Sequence, residues 1–240
     1  RANSPTYDCT SDCQSDRNPS DYQSDVREFA MSYRLFYRRH LPHYQPQGGT
    51  FFVTFGLTGS IPKPVWEQLL AERVATESRL AAIADTAERV RQSYLEEKRW
   101  FARWDAVLDG AEAAPRWLEQ PEIAEIVVEA MHYRDGKEYT LHAFTLMPTH
   151  AHILITPSQL GEDYRMLHEI LQKLKGYTAF KANARLGRKG AFWHGESYDH
   201  FVRDADEQAR ILYYIQQNPV KAGLVQKAED WPWTYTRTSD

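Results

Sequence analysis

The sequence predicts an α+β fold, a ferredoxin-like split βαβ antiparallel sheet with helices on one face, and three observations predict it. Residues 137–157 read as two strands, "KEYTLHAFTLM" and "HAHILITP", joined tightly at Pro148-Thr149. An alternating stretch far upstream, "GGTFFVTFGL" at 48–57, supplies a further strand after a Gly-Gly turn. Helical periods separate and follow these strands, so the order after residue 48 is strand, helices, strand, strand, helix, short strand, helix.

The elements follow in order. Residues 1–30 set Asp8, Asp12, Asp16, Asp21, Asp25 and Glu28 against Arg1, Arg17 and Arg27 without an apolar period, and read as a disordered acidic tail. Cys9 and Cys13 lie in it, where they cannot staple a core, and without a second ligand pair they make a poor zinc site. The domain is expected to span 31–240, starting at Met31. Pro62 and Pro64 stop the first strand. From Val65 to Leu108 a charged, heptad-like pattern carries Leu69, Val74, Leu80, Ile83, Val90 and Leu95, which reads as a helical insertion over about 63–120. Pro121 suits the first turn of "PEIAEIVVEAMHYR", which Asp135-Gly136 closes. A long helix is expected from Asp163 to Leu186, then a Gly-punctuated loop, "GRKGAFWHGESYDHFVRD", entering a short strand. The last helix is expected to start near Asp204 and end at Pro219.

Composition narrows the function classes. With 240 residues, 42% hydrophobic and 13% aromatic, the chain can bury a core. No apolar run approaches the ~20 residues that span a bilayer, and the start carries no apolar leader core, so a reducing, cytoplasmic location is the expectation. The net charge of −4 speaks against nucleic acid only on average. Arg34, Arg38 and Arg39 meet no acid until Glu67, and Arg165 to Lys189 holds Lys173, Lys175, Lys181, Arg185, Arg188 and Lys189 against Glu169 alone.

The chemistry concentrates in two places. In "MPTHAHILI", strand alternation points His150, His152 and Leu154 one way and Ala151, Ile153 and Ile155 the other, so one face is core and the other a candidate site. In "ARILYYIQQNPVKAGLV", Ile211, Leu212 and Ile215 make the buried stripe at about 100° per residue. Tyr213 points away from it, Tyr214 borders it, and Asn218 lies one turn beyond Tyr214 on the same side. Docked beside the histidine strand, this helix would gather two imidazoles, an amide and a phenol. Imidazole and carbonyl-oxygen ligands with open positions suit Mg²⁺ or Mn²⁺. Trp193, His194 and His200 sit in a loop where stacking on an unpaired base is one reading and, for Trp193, a core anchor the other.

"MPTHAHILITP", "FWHGESYDHFVRD", "YYIQQNPVKAGLV" and "EDWPW" together resemble the REP-associated tyrosine transposases, within the single-tyrosine HUH (IS200-like) transposase superfamily. The resemblance covers 31–62 and 121–235 and rests on the combination, since H-x-H alone is weak. It implies a ferredoxin-like fold, a divalent metal held by His150 and His152 and completed by Asn218, and Tyr214 as the nucleophile. It further implies cleavage and rejoining of single-stranded or hairpin DNA through a 5′-phosphotyrosine. Arg34, Arg38, Arg39, Lys173, Lys175, Arg185, Arg188, Lys189, Trp193, His194 and His200 are the candidate DNA contacts. Two departures stand out: Ala151 fills a position usually held by a bulkier apolar residue, and 63–120 exceeds what compact members need. The alternative reading is a hairpin-binding protein without strand chemistry.

Overall fold

The computed structural model describes residues 36–38, 42–110 and 113–238. The acidic tail, Cys9, Cys13, Arg34 and Arg39 therefore lie outside the described residues. Two short strands, β1 (Phe36–Arg38) and β2 (Pro42–Tyr44), pair antiparallel. After Gly48, whose φ of 67° makes the turn, comes β3 (Thr50–Gly56). Pro64 sits in the first turn of α1 (Lys63–Ala81). In α2 (Thr86–Asp109) the Asp85 carboxylate caps the N-terminus by accepting from the amides of Ala87 at 2.8 Å and Glu88 at 3.2 Å. Ion pairs of Arg73 with Glu97, Arg79 with Glu96 and Arg103 with Glu72 tie α1 to α2.

A 3₁₀ turn at Trp117–Glu119 leads into α3 (Pro121–Arg134), β4 (Tyr139–Leu146) and β5 (His150–Pro157). A small hairpin, β6 (Gln159–Leu160) with β7 (Asp163–Tyr164), takes up residues expected in the next helix. That helix, α4, therefore runs only from Leu167 to Arg185. The chain ends with β8 (Tyr198–Val202), α5 (Ala205–Lys221) and β9 (Thr234–Thr236). The helix α5 does not end at Pro219 but carries it inside. Proline removes one N–H, yet the last turn still closes, with Ala222 N donating to the Asn218 carbonyl and Leu224 N to that of Pro219, each at 2.9 Å.

The five-stranded sheet runs β8-β3-β5-β4-β9, with all neighbours antiparallel. Alternation splits its faces. Phe51, Val53, Phe55, Ala151, Ile153 and Ile155 look toward the apolar sides of α3 and α4, in a core with Ile123, Val127, Met131, Ile170 and Leu174. The α3–α4 pair thus occupies one face as the split βαβ plan requires. The second face is covered too: Phe52, Ala143, Leu154, Tyr198 and Val202 pack with Trp100, Trp104 and Leu108 of α2 and Ile215 of α5. In α1 and α2 the expected apolar positions Val74 and Val90 are more than half exposed, and the tryptophans take the buried places. β9 is held by Arg237, which donates to the Leu141 carbonyl at 2.8 Å and pairs with Asp135.

Gly56 fixes how closely α2 approaches the sheet. A Cβ there would stand 2.5 Å from Ser60 Oγ and 2.9 Å from a Leu108 methyl carbon, and Ser60 is tied to the Leu57 carbonyl at 2.7 Å. Gly56→Ala should therefore destabilise the protein by about 1–3 kcal/mol through overpacking. Gly176→Ala, on α4 with nothing within 4 Å of the added carbon, should stabilise it by up to about 1 kcal/mol. Urea unfolding of both variants checks this; equal midpoints would refute the close contact.

Candidate active site

The register of β3, β5 and β4 places Thr54 and Thr145 beside His152, and Gly56 beside His150. Both histidines are sealed, at 1% and 0% exposure. Thr149 Oγ1 donates to the Leu108 carbonyl at 3.0 Å, so its oxygen accepts from His150 Nδ1 at 2.9 Å. That leaves His150 Nε2 with a lone pair. His152 Nδ1 meets Thr54 Oγ1 at 2.7 Å, and its Nε2 faces His150 Nε2 at 3.1 Å. Two threonines thus aim two imidazole nitrogens at one point.

Side chains from α2 and α5 converge there. Asp105 of α2 places Oδ1 3.5 Å from His152 Nε2 and is almost wholly buried. Asn218 of α5 is fully buried, with Nδ2 3.2 Å from His152 Nε2. Lys221 Nζ reaches Asp105 Oδ2 at 3.0 Å and Asp109 Oδ2 at 3.8 Å. The Tyr214 ring stands edge-on to His152, its centroid 5.5 Å away, and packs against Phe52 and Phe101. Its hydroxyl is shut off from solvent without a well-formed hydrogen bond. Tyr213, one residue back, is 65% exposed on the other side of the helix.

The electrostatics follow from this burial. Desolvation, then the neighbouring His152, holds His150 well below the usual imidazole range. Desolvation also lowers His152, to about 4, against the pull of Asp105. Burial opposes ionisation of Asp105, but His152, the Tyr214 hydroxyl, His150 and Lys221 outweigh it and keep it below the carboxylate norm. Asp109 rises to about 6 through burial and the charge of Asp105. Burial, then Asp105, pushes the Tyr214 phenol far up. Neutral imidazoles and an ionised carboxylate are the protonation states a cation needs.

His150, His152 and Asp105 offer ligand atoms that all lie within 4.8 Å of one another, a buried group that can hold a metal ion. The fit has a second mark: Asp105 Oδ1 and Asn218 Oδ1 are both buried without a well-formed hydrogen bond, and the one Tyr214 hydroxyl proton beside them can serve only one of the two. Orphaned buried oxygens are costly, and a cation would satisfy them. Imidazole with carboxylate and amide oxygens suits Mn²⁺, and Mg²⁺ less closely.

Other residues fall elsewhere. Among the described residues, Lys173, Lys175, Arg185, Arg188 and Lys189 belong to α4 and the loop after it, and α4 packs on the face opposite the histidines. Lys173 approaches Glu138 at 3.9 Å and Arg185 approaches Glu122 at 3.6 Å. Lys175 donates to the His194 carbonyl. Arg188 lies over the Trp117 ring at 3.9 Å and donates to Asn183, while Lys189 is exposed. Arg38 ends β1, and its side chain lies outside the described residues. Trp193 is a core anchor and not a stacking platform: it is buried against Phe55 and its Nε1 donates to Thr178 Oγ1 at 2.8 Å. The His194 ring packs on Trp66 and Trp104, and His200 pairs with Glu207 at 3.1 Å.

Sequence reasoning missed Asp105, Asp109 and Lys221. A signal existed in "WFARWDAVLD", where Asp105 adjoins the stripe of Trp100, Trp104 and Leu108 at helical spacing. Lys221 stands two turns after Tyr214, within a motif already singled out.

No family model matches the chain. It is 30% identical over 98 residues to a Haemophilus influenzae protein assigned to the REP-associated tyrosine transposases, covering 38% of this chain and 56% of that one. It is 22% identical over 98 residues to a REP-associated tyrosine transposase of Escherichia coli, covering 41% and 54%. The chain thus spans about half the length of the curated relatives it matches. A solved REP-associated tyrosine transposase bound to a REP hairpin is similar with a TM-score of 0.46 and 18% identity, covering 82% of this chain and 80% of that one. No helix among the described residues is long and apolar enough to cross a membrane.

Two outcomes follow for the cluster. Mn²⁺ at a hundredfold its dissociation constant should stabilise the fold by about 2.7 kcal/mol, an effect that His150→Ala and Asp105→Ala should abolish in thermal melts. In chelated protein, stability should fall from pH 7 to 4. His152 in the unfolded chain protonates near its ordinary 6.5, while in the folded chain it stays neutral to about 4, so the unfolded state binds more protons in that window. Urea unfolding of His152→Gln should show a shallower pH slope than wild type; parallel slopes would contradict the buried neutral imidazole.

Proposed function

We propose, on the premise that the chain belongs to the family of REP-associated tyrosine transposases, that it is a metal-assisted endonuclease and strand transferase. Its substrate would be single-stranded DNA beside a hairpin, cleaved and rejoined through a 5′-phosphotyrosine. The observation that carries this reading is the position of Tyr214, ring to ring with His152 and one helical turn from the buried Asn218.

The Tyr214 oxygen attacks the scissile phosphorus, forming an O–P bond as the bond to the 3′ oxygen breaks. In net terms the phenol proton ends on the released 3′ hydroxyl, and rejoining runs the same exchange backwards. Lys221, whose Nζ lies 5.6 Å from the Tyr214 ring centroid, supplies positive charge where phenolate character develops. His150 and His152 would hold the cation, with Asn218 as a weaker amide donor and Asp105 as a ligand in the DNA-free chain. When bound, Mg²⁺ or Mn²⁺ neutralises charge on a phosphate oxygen. Thr54 and Thr149 orient the imidazoles, as outer partners of metal-binding histidines do. The exposed cations Lys173, Arg185 and Lys189 are proposed backbone contacts for flanking DNA.

One observation favours the second reading, a hairpin binder without chemistry: His150, His152, Asp105 and Asn218 are buried and the Tyr214 hydroxyl is shut off from solvent. A labelled pool of hairpin oligonucleotides with randomised single-stranded flanks separates the two. Wild type with Mn²⁺ should form a covalent adduct that survives denaturation, and Tyr214→Phe should lose it by about 10³-fold or more. Tyr213→Phe should retain it, His150→Ala and His152→Ala should lack it, and Asn218→Ala should be intermediate. No adduct from wild type, with binding intact, would leave the second reading.

A further inference from the structure

The groups that would meet a scissile phosphate are covered by α2. Trp100, Trp104 and Leu108 seat this helix on Phe52, Tyr198 and Ile215, and Phe101 stands edge-on to the Tyr214 ring at 5.6 Å. At the centre of the cover, the Asp105 carboxylate lies 3.5 Å from His152 Nε2 and 3.0 Å from Lys221 Nζ, against the Tyr214 hydroxyl. An oxyanion between the imidazoles, a cation and the nucleophilic oxygen is what the reaction itself requires of the DNA phosphate. The two cannot share the place: their volumes overlap, and two anions in a low-dielectric pocket repel strongly.

We propose that Asp105 is an internal substitute for the scissile phosphate, and that α1–α2 is an autoinhibitory cap which DNA displaces in order to reach Tyr214. The proposal rests on the endonuclease reading. The cap is clasped to the body at identifiable points. Tyr94 of α2 donates to Glu207 of α5 at 3.1 Å and lies under the Arg203 guanidinium at 4.0 Å. Trp66 of α1 packs against His194, and Lys221 bridges Asp105 to Asp109. Displacing the cap frees Lys221 to face the phosphate in place of the two aspartates. The energy for this comes from the entering DNA, so strand chemistry is gated by a substrate bound firmly enough to lift the cover.

The full chain tests this in three ways. In chelator, Asp105→Ala and the near-isosteric Asp105→Asn should bind the randomised hairpin pool about tenfold more tightly than wild type, one charge clash being worth roughly that factor. In wild type, hydrogen exchange of the α2 amides should accelerate when the oligonucleotide binds. Binding of the pool by both variants no tighter than by wild type, or α2 amides that stay protected in the wild-type complex, would overturn the proposal and make Asp105 a permanent group on a fixed wall. The third arm needs no DNA: Tyr94→Phe, which removes one clasp, should take up Mn²⁺ faster than wild type, and an unchanged rate would overturn the cap. Failure of the endonuclease reading is distinguishable, since it appears as no adduct from wild type with hairpin binding intact, while the binding, exchange and uptake arms still report on the cap.

Discussion

The site depends first on the register between β3 and β5. Pairing Thr54 with His152 and Gly56 with His150 gives one imidazole a hydroxyl partner and leaves space above the other for Leu108 and the end of α2. A shift of one residue would send both histidines into the core beneath α3 and α4, and bring Ala151 and Ile153 to the polar side. The apolar residues Phe51, Val53 and Phe55 on the opposite face resist that slip, because their burial under α4 would be lost with it. Packing on one face thereby holds the chemistry on the other in place.

Much of this was legible in the sequence where period and punctuation agreed. The β4–β5 hairpin, α3 after Pro121 and the outward turn of Tyr213 all follow from alternation, caps and the helical wheel. Illegible were the elements too short to carry a period, namely β1, β2, β6, β7 and β9, which exist by backbone pairing and not by side-chain pattern. The charge windows misled in a different way. A linear run from Arg165 to Lys189 cannot say which face of the sheet its helix will cover, and α4 took the face away from the histidines. Pro219 misled because a proline near a helix end costs one hydrogen bond, a loss that a well-buried final turn tolerates.

The acid at the centre of the site was hidden by its context. Asp105 lies in a stretch whose charges, Arg99, Arg103 and Glu97 among them, read as a solvated helix surface. Only docking against the sheet turns one of those charges inward, where Lys221 and the histidine edges offset its desolvation. The resemblance to known relatives could not supply it, because the helix that bears it lies in the part of the chain that the resemblance leaves out.

The strand order has a consequence for how the chain is made. Among the described residues β3 pairs with β5 and β8 and with nothing nearer in sequence. At a synthesis rate of about 5–20 residues per second, roughly a hundred residues separate β3 from its first partner, a wait on the order of 5–20 seconds. Throughout that interval Phe51, Phe52, Val53 and Phe55, all buried in the finished fold, form an unpaired apolar strand on the nascent chain. The α1–α2 hairpin, by contrast, can close locally through its own ion pairs as soon as it emerges. Its tryptophan stripe is then the nearest apolar surface available to the waiting strand, so the helices that seal the finished site would also serve the nascent chain as an intramolecular chaperone.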